Sequence, residues 1–251
     1  MSSNANRTSE SKVAIVTGAS RGIGAAIAER LAADGFTVVI NYSGNAAPAE
    51  ELARKIEVAG GKALTAKADV SDAEAVRRMF DAAETAFGGV DVLVNNAGIM
   101  MLSPIADADE ANFDRQVAVN LKGTFNTLRE AGKRLNDGGR IVNFSTSVVG
   151  FKLETYGVYA ATKAAVETLT AIMAKEMRGR NITVNAVAPG PTATDLFLNG
   201  KSDEVVARMA KMNPLERLAT PHDIASVVSF LAGPDGGWIN GQVLRANGGA
   251  V

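Results

Sequence analysis

Val13-Ala14-Ile15-Val16-Thr17-Gly18-Ala19-Ser20-Arg21-Gly22-Ile23-Gly24 opens the regular pattern of this chain. A short β-branched run leads into a turn with glycines at 18, 22 and 24, after which Ala25 to Ala33 reads as a helix. Glycine at a strand-to-helix junction permits a tight turn and close approach of backbone to a ligand. The helix start adds free N–H groups and a positive dipole end, which suit a diphosphate. The spacing is not the common G-x-G-x-x-G, but its place at the head of a βαβ pattern points to a dinucleotide.

Outward from this turn, apolar β-branched runs alternate with helical patterns along the length. Strands are expected near Val13 to Thr17, Thr37 to Asn41, Ala63 to Ala66, Val90 to Val94, Arg140 to Ser145, Thr183 to Val187 and Gln242 to Arg245. Helices are expected to begin near Ile23, Pro48, Asp72, Asp109, Tyr156 and Pro221, the fourth running to about Leu135. Alternating βα order predicts an α/β fold: one doubly wound parallel sheet with helices on both faces. No linker divides residues 12–251, so a single domain is expected, preceded by a disordered tail over 1–11. The least regular stretch, Pro189 to Pro214, reads as a mobile lid.

Composition removes several classes of function. The 251 residues are 47% hydrophobic and 21% charged, with a formal net charge of -1. That balance gives no electrostatic footprint for nucleic acid or an anionic membrane. Cysteine is absent and His222 is the single histidine, so no metal site is expected. The polar start lacks a signal-peptide core and no apolar run reaches membrane-spanning length, which predicts a cytoplasmic protein.

Among three tyrosines, only Tyr159 has a lysine four residues on, Lys163. Positions i and i+4 share a helix face, so the ammonium can lie beside the phenol. A positive charge there favours phenolate over phenol.

Thr17-Gly18-Ala19-Ser20-Arg21-Gly22-Ile23-Gly24, Asn95-Asn96-Ala97-Gly98, Tyr159-Ala160-Ala161-Thr162-Lys163 and Pro189-Gly190 follow one another in this order. In order and spacing they resemble the short-chain dehydrogenase/reductase family, from about Lys12 to Gly249. The likeness extends to 3-oxoacyl-acyl-carrier-protein reductases and to the tetrahydroxynaphthalene-reductase-like group. It implies a Rossmann fold, NAD(P)(H), reversible reduction of a small-molecule carbonyl to an alcohol, and a homo-oligomer, most often a tetramer.

The same resemblance implies roles for individual residues. Tyr159 would protonate the carbonyl oxygen, Lys163 would lower its pKa and bond the nicotinamide ribose, and Asn120 would hold a water in a proton relay. A serine after the fifth strand would orient the substrate, but here Ser145-Thr146-Ser147 is one residue longer than the usual pair. Register on Ser147-Val148-Val149-Gly150 selects Ser147, whereas register on the strand selects Ser145 or Thr146; Ser147 is the choice. Gly18, Ser20, Arg21, Gly22, Ile23 and Gly24 would cradle the diphosphate, while Asp69 and Val70 would border the adenine. Asn96, Ala97 and Gly98 would flank the ribose, and Pro189, Gly190, Thr192 and Thr194 the nicotinamide. The second strand ends Asn41-Tyr42-Ser43 with no carboxylate to repel a 2′-phosphate. With Arg21 cationic and Asn41 and Ser43 at hand, NADP(H) is expected in preference to NAD(H).

Two other readings compete. Gly18-Ala19-Ser20-Arg21-Gly22 also spells the G-x-S-x-G of serine hydrolases, but the only available base, His222, reads as a helix-start residue behind Thr220 and Pro221. A noncatalytic dinucleotide sensor would have no need of Asn120, Ser147, Tyr159 and Lys163 together.

Overall fold

β1 (Val13–Val16) is buried on both sides: Val13 and Ile15 join one apolar cluster and Ala14 and Val16 the other. Such a strand belongs in the middle of a parallel sheet covered on both faces. The computed structural model describes residues 11–251. The expected tail therefore lies outside the described residues, except Ser11, whose hydroxyl shares a 2.7 Å hydrogen bond with that of Thr37.

Six further strands complete the sheet: β2 (Thr37–Tyr42), β3 (Lys62–Lys67), β4 (Val90–Asn95), β5 (Leu135–Phe144), β6 (Thr183–Pro189) and β7 (Val243–Ala246). All pairs are parallel, in the order β3-β2-β1-β4-β5-β6-β7. One face carries α1 (Gly22–Ala33), α2 (Ala47–Val58) and a late helix, α10 (Pro221–Ala232), through Ile27, Leu31, Leu52, Ile224 and Leu231. The other carries α3 (Ala73–Phe87), α5 (Gly123–Arg134) and α7 (Gly157–Glu176), packed through Val76, Phe80, Leu128 and Met173. Chain order reverses between β1 and β4, and ligands of such sheets sit beyond the carboxyl ends of the strands at that switch point.

Start signals work locally as the sequence suggests. Asp72 caps α3 by accepting from the Glu74 N–H at 2.8 Å, and Thr220 and Asp223 form a reciprocal capping box on α10. His222 is an exposed residue of that first turn, and no hydrogen bond joins it to Ser20 among the described residues. The hydrolase reading therefore loses its base.

Two features depart from expectation. The helix expected from Asp109 to Leu135 is instead α4 (Glu110–Gln116), a wide π turn over Val117–Lys122, and α5. The stretch 189–214 holds two short helices, α8 (Asp195–Leu198) and α9 (Asp203–Ala210), and is tied at its base by a bridge between Thr192 and Ala219. A four-residue helix, α6 (Val148–Phe151), follows β5.

A buried polar chain fixes α7 to the sheet. Asn95 donates to Asn143 Oδ1 at 2.9 Å, and Asn143 donates to Thr170 Oγ1 at 2.8 Å. Buried polar groups are costly unless paired, so this chain gives β4, β5 and α7 one relative placement.

Candidate active site

Thr17 and Asn96 shape the glycine turn. Asn96 Nδ2 donates to the carbonyls of Thr17 and Gly18 at 2.9 and 3.0 Å, while the Ala97 N–H donates to Thr17 Oγ1 at 3.0 Å. Gly18 and Gly22 adopt φ of 60° and 58°, the left-handed region that glycine enters without strain. A Cβ on Gly24 would stand 2.4 Å from the Gly18 carbonyl oxygen and 2.5 Å from Asn96 Nδ2. The turn is thus a cradle that only glycine leaves open. No side chain caps the start of α1 behind it, so its first N–H groups face whatever fills the cradle. A dinucleotide diphosphate fits this donor set.

Ser20 is half-buried within the turn and Arg21 exposed on it. The Arg21 guanidinium makes no ion pair among the described residues. Ser43 is exposed beyond β2, whereas Asn41 is not free to meet a ligand. Its Oδ1 accepts from the Gly18 N–H at 3.1 Å, and its Nδ2 donates to the carbonyls of Ala66 and Ala68 at 3.1 and 3.0 Å. Asn41 therefore braces the glycine turn against β3 rather than offering a cofactor contact. Asp69 is half-exposed: its carboxylate accepts from the Ser71 N–H and hydroxyl at 2.9 and 2.6 Å, and Arg115 lies 3.6 Å away. The Ser71 bonds, with Arg115 beside them, hold the Asp69 carboxyl below its usual range. Val70 is buried next to it.

One cavity, about 150 Å³, collects most of the remaining candidates: Ile23, Asn96 and Gly98 on one side, Ser145 to Ser147, Tyr159 and Lys163 at the centre, and Pro189, Gly190, Thr192 and Thr194 opposite. Gly22 and Thr194 approach closely, since a Cβ on Gly22 would meet Thr194 Cγ2 at 3.5 Å.

Tyr159 and Lys163 share a face of α7, with Lys163 Nζ 6.0 Å from the ring centroid. The ammonium does not reach for the phenol, however. It donates to the Phe144 carbonyl at 2.8 Å, at the end of β5, and burial brings its pKa down to about 8. Burial likewise pushes the Tyr159 phenol up to about 12, with a smaller upward push from Tyr156, while a hydrogen bond with the Thr146 hydroxyl acts in the opposite sense. The expected lowering by Lys163 is therefore not a property of the protein by itself. Desolvation outweighs a cation that is turned away.

The three hydroxyls after β5 part company. Ser145 Oγ donates to Glu167 Oε1 at 2.6 Å and Ser147 Oγ to the Ala188 carbonyl at 3.1 Å, both buried. Thr146 Oγ1 accepts from the Val148 N–H at 3.3 Å, and its hydroxyl is the one that pulls the Tyr159 pKa downward. The register chosen on Ser147-Val148-Val149-Gly150 thus leads to a hydroxyl bonded to β6, and the one that acts on the phenol is Thr146. Strand alternation is the signal that separates them, because successive residues point to opposite faces.

The Asn120 side chain is bound within the protein. Its Oδ1 accepts from the Ile99 N–H at 2.8 Å, and its Nδ2 donates to the Ile99 carbonyl at 2.9 Å and to Thr162 Oγ1 at 3.2 Å. With these bonds made, the amide clamps the chain after β4 to α7.

Residues 18–251 match the family model described as enoyl-(acyl carrier protein) reductase. A short-chain type dehydrogenase/reductase of Picea abies is 48% identical over 250 residues, covering 96% of this chain and 92% of that protein. An Arabidopsis thaliana NADPH-dependent aldehyde reductase-like protein, chloroplastic, is 46% identical over 254 residues, covering 96% and 94%. A solved short chain dehydrogenase from Burkholderia cenocepacia, in complex with NADP, superimposes with a TM-score of 0.91 at 38% identity, covering 96% of this chain and 98% of that one. The cradle at the switch point, the Tyr159 and Lys163 pair beneath it and these likenesses agree: the chain belongs to the short-chain dehydrogenase/reductase family.

Proposed function

We propose that this protein is an NADP(H)-dependent reductase that converts a small-molecule aldehyde or ketone to an alcohol. The observation that carries the reading is the meeting of Tyr159, Thr146 and Lys163 in one cavity beside a glycine cradle. NADPH, when bound, supplies the hydride. Gly18, Ser20, Arg21, Gly22, Ile23 and Gly24 would hold its diphosphate, Asp69 and Val70 its adenine, Ala97 and Gly98 its ribose, and Gly190, Thr192 and Thr194 its nicotinamide end.

Tyr159 gives its hydroxyl proton to the carbonyl oxygen as the alcohol forms. Thr146 donates a second hydrogen bond to that same oxygen, where negative charge grows. Lys163 would release the Phe144 carbonyl and turn its ammonium, 6.0 Å from the ring centroid, toward the phenolate left behind. Asn120 is a positioning residue that fixes the Ile99 segment against α7. The stretch 189–214 acts as a lid, carrying Leu196, Phe197, Met209 and Met212 over the opening. Reduction of aldehydes and simple ketones, followed by the loss of NADPH absorbance, tests the reading directly; no turnover across such a panel would sink it.

NADPH preference is supported by the exposed Arg21, which has no ion-pair partner among the described residues, and by the acid-free end of β2. The NADP complex of the Burkholderia relative and the name of the Arabidopsis relative point the same way. A charge-assisted bond to the 2′-phosphate should make kcat/KM for NADPH at least about tenfold higher than for NADH. Arg21→Gln should erase most of that ratio, and equal values in the wild type would refute it.

Assembly as a homotetramer is supported by the apolar side chains around the free edge of β7, where Trp238 is 98% exposed and Phe230 41%. Such patches rarely stay bare. Light scattering should give about four times the 26.0 kDa chain mass, and Trp238→Glu should lower it; a wild-type monomer at micromolar concentration would count against the proposal. Among the described residues no helix is long and apolar enough to cross a membrane. The cytoplasm is the proposed compartment, which fractionation of the native cell would test.

A further inference from the structure

The substrate end of the cavity is lined by Met100, Phe151, Leu153, Leu196, Met209 and Met212. The one cation on the lining is Lys163, already donated to Phe144, so a charged group on a ligand would lie there without a counter-ion. Four of the hydroxyls around the cavity are spoken for as well: Ser145, Ser147, Thr192 and Thr194 each donate within the protein, while Thr146 and Tyr159 belong to the reacting oxygen. Tyr156 is the exception. Its side chain lines the cavity and is 8% exposed, yet its hydroxyl makes no hydrogen bond among the described residues. Among the described residues, the fully buried polar side-chain atoms left without partners are Asn95 Oδ1, Arg140 Nε and Thr183 Oγ1; the Tyr156 hydroxyl is not one of them, and its residue lines the cavity.

An independent feature holds Tyr156 in place. Thr155, a β-branched residue, adopts a φ of 69°, a strained conformation of the kind found at ligand clamps. Its carbonyl accepts from the Ser103 N–H at 3.0 Å. On the other side, Gly157 packs so closely on Ile105 that a Cβ would stand 2.7 Å from Ile105 Cγ1. The chain after β4 thus grips the residues on both sides of Tyr156. The Tyr156 ring stands edge-on to Tyr159, with centroids 6.4 Å apart.

Resting on the reductase reading, we infer that the Tyr156 hydroxyl is a second anchor for the substrate, and that the substrate is an uncharged, largely apolar carbonyl compound bearing a second oxygen. That oxygen is a hydroxyl or another carbonyl, lying about one ring's breadth from the carbonyl that is reduced. Tyr159 and Thr146 take the reacting oxygen and Tyr156 the other, so the two tyrosines fix both the position and the face of a flat molecule.

The test compares kcat/KM for acetophenone, its three monohydroxy isomers and 4-acetylbenzoate, in the wild type and in Tyr156→Phe. The best hydroxy isomer should exceed acetophenone by about tenfold, in the range of one net hydrogen bond, and 4-acetylbenzoate should be the poorest of the set. In Tyr156→Phe the ratio of hydroxy isomer to parent should fall below about two, while the Kd for NADPH, read by its fluorescence, shows the fold intact. No advantage for any hydroxy isomer in the wild type, or the same ratio in the variant, overturns the inference. Efficient reduction of the carboxylate overturns its uncharged part. Turnover of acetophenone separates these failures from a failure of the reductase reading, in which no carbonyl compound would be reduced at all.

Discussion

Tyr159→Phe is expected to lower kcat by about a thousandfold, the scale of a lost general acid, while the Kd for NADPH stays within about twofold of wild type. The ring survives the substitution, and with it the edge contact to Tyr156 and the packing of α7. Only the ionisable hydroxyl is lost. Retention of a tenth of wild-type kcat on a verified substrate would refute the assignment. A spectroscopic companion follows from the same environment: burial pushes this phenol up to about 12, so the cofactor-free protein should show no tyrosinate absorbance from Tyr159 below about pH 10. The difference spectrum against Tyr159→Phe isolates that signal. Tyrosinate near neutral pH would mean that Lys163 points at the phenol rather than at Phe144.

The second large effect is expected from Thr146→Val, which should lower kcat by about a hundredfold, as removal of one donor to a developing oxyanion does. Valine nearly keeps the shape of threonine, so the loss would report the hydroxyl. Ser147→Ala and Ser145→Ala should each stay within about threefold in kcat, their costs falling on stability, because their hydroxyls bond Ala188 and Glu167 at about 1 kcal/mol each. Were Ser147→Ala the crippling variant and Thr146→Val the mild one, the choice made from sequence register would stand after all.

Much of the architecture is legible in the amino-acid order. Seven parallel strands follow from β-branched runs and βα alternation, and the caps at Asp72 and Thr220 from side chains that accept from helix N–H groups. What escapes notice has physical reasons. The π turn has no residue of its own to announce it, since Val117-Ala118-Val119-Asn120-Leu121-Lys122 holds no proline or glycine that would bar an ordinary helix. Asn41 looks like a strand-end polar residue facing a ligand; its inward aim depends on carbonyls of β3, which are distant in sequence. Spacing brings Lys163 beside Tyr159, but it cannot reveal that a carbonyl at the end of β5 competes for the ammonium. Three consecutive hydroxyls after that strand are separable only once the strand's last residue fixes which way each points.

The wide turn at Val117–Lys122 amounts to an extra residue accommodated inside a helix, and that has a consequence for anyone altering the length of this segment. A regular helix advances about 100° per residue. Deleting one residue between Val117 and Asn120 would relax the turn to the ordinary pitch at little local cost. Because the wide turn already absorbs that residue, the helices on either side would keep their phase: α5 stays pinned by Thr124, Thr127 and Leu128, and Gln116 keeps its bonds to the N–H and the carbonyl of Met101. The same deletion made inside the regular turns of α5 would instead swing everything upstream by about 100° and pull Gln116 off the cavity wall it supports. The wide turn is thus the one place in this segment where length can change without a change of phase.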